Sequence, residues 1–278
     1  MSLADAIEIV GHSDPGMVRS HNEDSIANDV RFGLAILADG MGGYNAGEVA
    51  SGMATTVLMT EMQTALSQHA PFEPDETGAA AEAGTIAARL MREQITKANT
   101  SIFSAAQSQP QYAGMGTTLV TALFYDNKMT VAQIGDSRLY RFRAGKFSQV
   151  TRDHSLLQEQ IDSGMITEEE AKHSQNKNLV TRALGIDPTV EAEIHDYDTL
   201  QGDIYLLCSD GLSDMVEDEE IGLTLETLGG NLNLAAQQLV QMANDNGGRD
   251  NVSVLLIKIL KEFPAAKGMF GKFLGWFK

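Results

Sequence analysis

Short apolar runs rich in β-branched residues stand out along the chain. Ile7–Val10, Phe32–Ala38, Thr118–Tyr125, Met129–Ile134, Ile204–Cys208 and Val252–Ile259 each predict a strand. Between the second and third runs the period changes. Val49, Met53, Val57, Met62 and Leu66 recur at helical spacing and predict a helix over 47–68. Ile86, Leu90, Ile95, Ile102 and Phe103 predict a second over 79–107, with Pro71, Pro74 and Asp75 marking a loop between them. Ser155 caps a predicted helix to Asp162, and Thr167 with Glu170 has capping-box spacing. A last helix is predicted over 234–244, with Gly247 placed to close it in a left-handed conformation. Strands and helices cluster rather than alternate. That favours antiparallel sheets with helices outside over a doubly wound parallel fold.

Composition narrows the functional classes. The 278 residues suffice for one large domain or two small ones, and a formal charge of −18 argues against nucleic acid as a partner. Cys208 is the single cysteine, so no internal disulfide forms, which fits a cytoplasmic setting. Met1–Val10 lacks the pattern of a signal peptide, and no run approaches the roughly 20 apolar residues of a membrane span.

The candidate chemistry sits where apolar runs end. Asp39-Gly40, Gly135-Asp136 and Asp210-Gly211 each close such a run, Asp250 precedes the last one, and Asn22-Glu23-Asp24 lies before the second. Singly, each is ordinary turn chemistry. As a set at strand ends they can converge, and converging carboxylates repel unless a cation compensates. Carboxylates and carbonyls without histidine or cysteine suit Mg²⁺ or Mn²⁺ rather than Zn²⁺.

The same residues resemble the bacterial metal-dependent serine/threonine protein phosphatases of type 2C. The motifs follow that family's order: Gly16-Met17-Val18-Arg19, Asn22-Glu23-Asp24, Ala38-Asp39-Gly40-Met41-Gly42-Gly43, Ala46-Gly47-Glu48, Met115-Gly116-Thr117-Thr118, Ile134-Gly135-Asp136-Ser137-Arg138, Asp153-His154-Ser155, Arg182-Ala183-Leu184-Gly185, Ser209-Asp210-Gly211 and Asp250-Asn251. The resemblance implies an α+β fold, a sandwich of two antiparallel β-sheets flanked by helices. It implies a catalytic domain over 1–262 with a mobile flap at about 162–185. It implies hydrolysis of phosphoserine and phosphothreonine on proteins by a metal-activated water, without a phosphoenzyme, countering a serine/threonine kinase.

The site residues it implies are as follows. Asp39 bridges two Mn²⁺ or Mg²⁺ ions, the Gly40 carbonyl binds one, and Asp210 and Asp250 complete the pair. Asp24 and Glu23 act through waters, Asp136 with Asp210 holds a weaker third ion, and Arg19 grips the phosphate. Two departures leave the general acid unassigned: Met41 stands where animal members have histidine, and Tyr44 where many bacterial members do. Cys208, inside an apolar run, reads as a core thiol. Two rival functions are a non-catalytic phosphoprotein binder, which would be expected to have lost ligands, and a calcium protein, for which no EF-hand loop is present.

The segment 263–278 departs from the acidic pattern. Its charges after Phe263 are Lys267, Lys272 and Lys278, and Phe270, Phe273, Leu274 and Phe277 recur at helical spacing. It is expected to be a basic amphipathic tail that docks on a partner or lies peripherally on a membrane, dispensable for catalysis.

Overall fold

The computed structural model describes residues 3–43, 46–71, 85–172 and 179–265. Along the chain run β1 (Ile7–Asp14), β2 (Asp24–Asp29), β3 (Leu34–Met41), α1 (Ala46–Leu66), α2 (Ile86–Ser108), β4 (Gly116–Thr117), β5 (Leu119–Tyr125), β6 (Lys128–Ile134), β7 (Arg138–Arg143) and β8 (Lys146–Gln149). They are followed by α3 (Leu156–Asp162), α4 (Glu168–Lys172), β9 (Glu193–Asp198), β10 (Ile204–Cys208), α5 (Asp210–Ser213), α6 (Asp218–Leu228), α7 (Leu232–Asp245) and β11 (Val252–Ile259).

The strands form two antiparallel sheets, ordered β1-β11-β10-β7-β8 and β2-β3-β5-β6-β9, with β4 paired to the end of β3. Three apolar layers hold them. Leu37, Val120, Phe124, Leu139, Tyr205 and Leu255 pack between the sheets. Leu34, Ile36, Leu58, Leu90 and Ile102 join α1 and α2 to one outer face. Leu206, Cys208, Leu239, Val254 and Leu256 join α6 and α7 to the other. The result is an α-β-β-α sandwich, as the resemblance implied.

This layering explains which strands the hydrophobic pattern revealed. Central strands are covered on both faces, so β5 is buried along its whole length and reads as one apolar run. The strands not predicted have polar sequences: β2 is Asp24-Ser-Ile-Ala-Asn-Asp29, β7 carries three arginines and β9 carries three acids at an edge. Asp24 therefore opens a strand of its own rather than sitting in a loop before one. Likewise β3 runs past Ala38 to Met41, because β4 pairs with Gly40 and Met41. Helices α5 and α6 were also not predicted.

The capping predictions match the structure. The Ser155 Oγ accepts from the Gln158 N–H at 3.2 Å, and Thr167 and Glu170 bond reciprocally. Gly247 has φ of +125° after α7.

Residues 173–178 and 266–278 fall outside the described residues, and with them most of the expected tail. Its first residue, Phe263, is buried among the inter-sheet side chains. The Phe263 N–H donates to Asn127 Oδ1 at 2.6 Å and the Ala265 N–H to Asp126 Oδ1 at 2.8 Å. The far end of the expected flap is also tied down. Leu184 is fully buried, exchanges backbone bonds with Thr117, and is followed by Gly185 against Ile102. Among the described residues, no helix is long and apolar enough to cross a membrane.

Candidate metal centre

At one end of the sandwich the acids implied by the sequence line a single cleft of about 220 Å³, together with Arg19, Gly40 and Thr118. Each arrives on a different element. Asp39 lies within β3, Asp136 in the turn between β6 and β7, Asp210 at the start of α5, and Asp250 just before β11. Glu23 comes from the loop after β1, and Asp24 lies beneath the cleft, directly opposite Asp39 in the β2–β3 ladder.

A facing pair of carboxylates is unfavourable in a sheet, and burial makes it worse. Burial first, then the charges of Asp24, Asp210 and Asp136, hold the Asp39 carboxyl well above the usual range. Burial pushes Asp24 up to about 6, partly offset by the Ser253 and Ser209 hydroxyls. Burial and the neighbouring Asp153 push Asp136 up to about 6. The Asp210 carboxyl is also held well above its usual value, by burial and then by Asp136. One Asp24 oxygen accepts from the Ser209 Oγ at 2.8 Å; the other, Oδ1, is buried with no hydrogen-bond partner among the described residues.

Such crowding and an orphaned carboxylate oxygen fit a cation. The donor set, all carboxylate and carbonyl, fits a hard divalent ion. Among the described residues, no three acidic, histidine or cysteine side chains close on one point as a complete shell.

Backbone contacts explain the local sequence. A Cβ on Gly40 would lie 2.1 Å from the Gly47 carbonyl oxygen and 2.6 Å from that of Glu23, so glycine lets the start of α1 close on β3. Gly135 has φ of +99° and abuts Thr118, a left-handed turn that aims Asp136 into the cleft.

Arg19 reaches across the cleft mouth, its Nη2 donating to Asp250 Oδ2 at 2.6 Å. It is half exposed and its charge is reinforced chiefly by that bond. No histidine lines the cleft among the described residues. His154 is buried, its Nδ1 accepting the Gly135 N–H at 3.2 Å and its Nε2 3.3 Å from Glu193. Tyr44 and His173 lie outside the described residues. Burial pushes the Cys208 thiol up to about 12, which makes it a core residue rather than a nucleophile.

Three residues that the motifs included without a role shape the site. Thr118 Oγ1 accepts the Asp39 N–H at 3.0 Å, and Thr117 Oγ1 donates to the Asp39 carbonyl at 2.8 Å. Asn251 accepts the Glu23 N–H at 2.7 Å and donates to the Pro15 and His21 carbonyls, both at 2.9 Å. Each stands within a motif already quoted, Thr117 and Thr118 after Met115-Gly116 and Asn251 after Asp250.

Fold and cleft define a metal-dependent phosphatase class, and the chain belongs to the protein phosphatase 2C family, whose description it matches over residues 17–256. It is 37% identical to the serine/threonine protein phosphatase PstP of Mycobacterium tuberculosis over 257 residues, 91% of this chain but 45% of that protein. The chain thus spans under half the length of this mycobacterial relative. The serine/threonine phosphatase stp of Listeria welshimeri is 36% identical, over 88% of this chain and 93% of that one. The crystal structure of M. tuberculosis PstP superposes with a TM-score of 0.80 at 35% identity, covering 91% of this chain and 99% of that one. A PstP catalytic domain in complex with two manganese ions gives 0.77 at 35% identity, covering 92% and 99%.

Proposed function

We propose that this chain is a serine/threonine protein phosphatase that removes phosphoryl groups from phosphoproteins and counters a serine/threonine kinase. The observation that carries the reading is the convergence of Asp39, Asp136, Asp210 and Asp250 on one cleft with Arg19 at its mouth. Asp39 with the Gly40 carbonyl, Asp210 and Asp250 would hold two Mn²⁺ or Mg²⁺ ions, with Glu23 and Asp24 supporting them through waters. Asp136 with Asp210 would hold a third, weaker ion. Bound there, such ions supply acidification of water and neutralisation of phosphoryl charge.

The protein's own groups supply the rest. Arg19 is anchored at one nitrogen by Asp250 and half exposed, so its fork is free to take phosphate oxygens bidentately. Thr117 and Thr118 fix the Asp39 backbone, and the Gly135 turn fixes Asp136. Both His154 nitrogens are engaged within the fold, so a water of the cleft would give its proton to the leaving alkoxide and leave as hydroxide. The segment beyond Ala265 is proposed to dock on a partner or an anionic membrane surface.

The test is turnover of p-nitrophenyl phosphate and a phosphothreonine peptide with Mn²⁺. Chelator and Asp210→Ala should each reduce it more than tenfold, about 1.4 kcal/mol of barrier. Chelator-resistant turnover, or an Asp210→Ala protein within tenfold of wild type, counts against the reading.

A further inference from the structure

Between the two sheets, at the end where β7 and β8 face β6 and β9, lies a second cavity of about 180 Å³. Its walls follow from register. Tyr205, Arg141 and Ser148 form one cross-strand row, since Arg141 pairs with both neighbours. Met129 and Tyr197 form the facing row on the other sheet. Tyr205 packs edge-on against Phe124 of the opposite sheet, so this row points into the sandwich interior. Arg141 is thus an arginine directed between two sheets.

A neighbour shows what such an arginine ordinarily has. Arg143, two residues along on the same face, is gripped by buried Asp203, with Nε at 2.7 Å and Nη2 at 2.6 Å from its two oxygens. Among the described residues Arg141 has no such partner. Its Nε is buried without any hydrogen bond among the described residues. A desolvated guanidinium N–H left unpaired is costly, and more so when charged. Among the described residues, no carboxylate pairs with it.

From this geometry we propose that the inter-sheet cavity is a binding site for a small oxyanion, of phosphate or carboxylate kind. The guanidinium fork matches two oxygens of such an ion. Tyr197 and Ser148 line the same space and carry hydroxyls that can donate; the Gln149 amide is engaged with Asp153. The volume equals about six waters at about 30 Å³ each, enough for a small ion and a few waters, and too small for a nucleotide. Tyr205 precedes Asp210 by five positions on the strand leading to the cleft, so the two sites stand roughly 16 Å apart. The site is distinct from the metal centre. The rival account is that Arg141 is an inward charge guarding the edge strands against association.

The experiment is calorimetric titration of the Mg²⁺-loaded full chain with inorganic phosphate, at constant ionic strength, with amide resonances recorded in parallel. In Arg19→Ala, which weakens phosphate capture in the cleft, a saturable phosphate event should still shift the amides of Arg141, Ser148 and Tyr197. Arg141→Met should abolish that event or weaken it at least tenfold, while leaving phosphatase turnover unchanged. Should Arg141→Met not fold, Tyr197→Phe and Ser148→Ala should each weaken binding severalfold. Acetate in place of phosphate distinguishes a carboxylate site from a phosphate one. No saturable binding in Arg19→Ala, or equal binding with and without Arg141, overturns the proposal. Self-association of Arg141→Met without any change in phosphate binding overturns it in favour of edge protection.

Discussion

Asp24→Asn should stabilise the metal-free protein and destabilise the metal-loaded one. In the folded chain, burial lifts the Asp24 carboxyl from 3.8 to about 6, opposite Asp39. That rise, about two pH units at 1.36 kcal/mol each, opposes its ionisation at pH 7 by on the order of 3 kcal/mol. The sign follows from linkage. A raised folded-state pKa means the folded chain holds more protons than the unfolded one between pH of about 4 and 6. Stability of the chelated wild type therefore falls as pH rises through that window and is flat above it. Asparagine removes the charge yet still accepts the Ser209 hydroxyl. In chelator at pH 7 it should raise Tm by about 5–10 °C for a domain of this size, and the gain should shrink toward pH 4. With Mn²⁺ the order should reverse, because carboxylates that burden the empty cleft are those a cation favours. The assay is thermal denaturation of both proteins, with and without chelator, from pH 4 to 8. An Asp24→Asn protein that melts below wild type in chelator at pH 7 would refute the electrostatic reading of the cleft.

Asp136→Ala should spare two tight Mn²⁺ sites in calorimetry while slowing turnover at low Mn²⁺; loss of both tight sites would contradict the third-ion assignment. Leu184→Ala, fully buried at the flap's inner end, should cost about 2–5 kcal/mol in denaturant unfolding, whereas exposed Met165→Ala should change phosphopeptide rates more than p-nitrophenyl phosphate rates. Truncation after Ala265 should leave Tm and turnover unaltered, and Phe263→Ala should lower stability by about 3 kcal/mol, both read by melting and activity.

How far the sequence could be read depended on where each residue sits. Double-sided burial made β5, β10 and β11 legible as apolar runs, and helical spacing located α1, α2 and α7. Edge positions hid β2 and β9, because a half-solvated strand of acids and small residues has no apolar period to detect. The acids Asp39, Asp136, Asp210 and Asp250 were visible as breaks at strand ends. Their convergence was not, since it depends on strand order, which pairs β3 with β5 and β10 with β7 and β11 across long sequence separations. The roles of Thr117, Thr118 and Asn251 escaped for a related reason. They act on backbone atoms brought near only by the fold, and no spacing rule marks a side chain that bonds a distant carbonyl.

Asn251 also has a consequence for how the cleft meets its ligand. One amide side chain ties Pro15, His21 and Glu23 to the foot of β11, and so encloses the stretch that carries Arg19. Fixing a residue's backbone costs about 1–2 kcal/mol in conformational entropy. Here that loss is incurred once, when the chain folds, rather than each time a phosphate arrives. Arg19 therefore meets its ligand from a stationary platform with only its own side chain left to order, and the affinity of the mouth for phosphate is set 232 positions away along the chain.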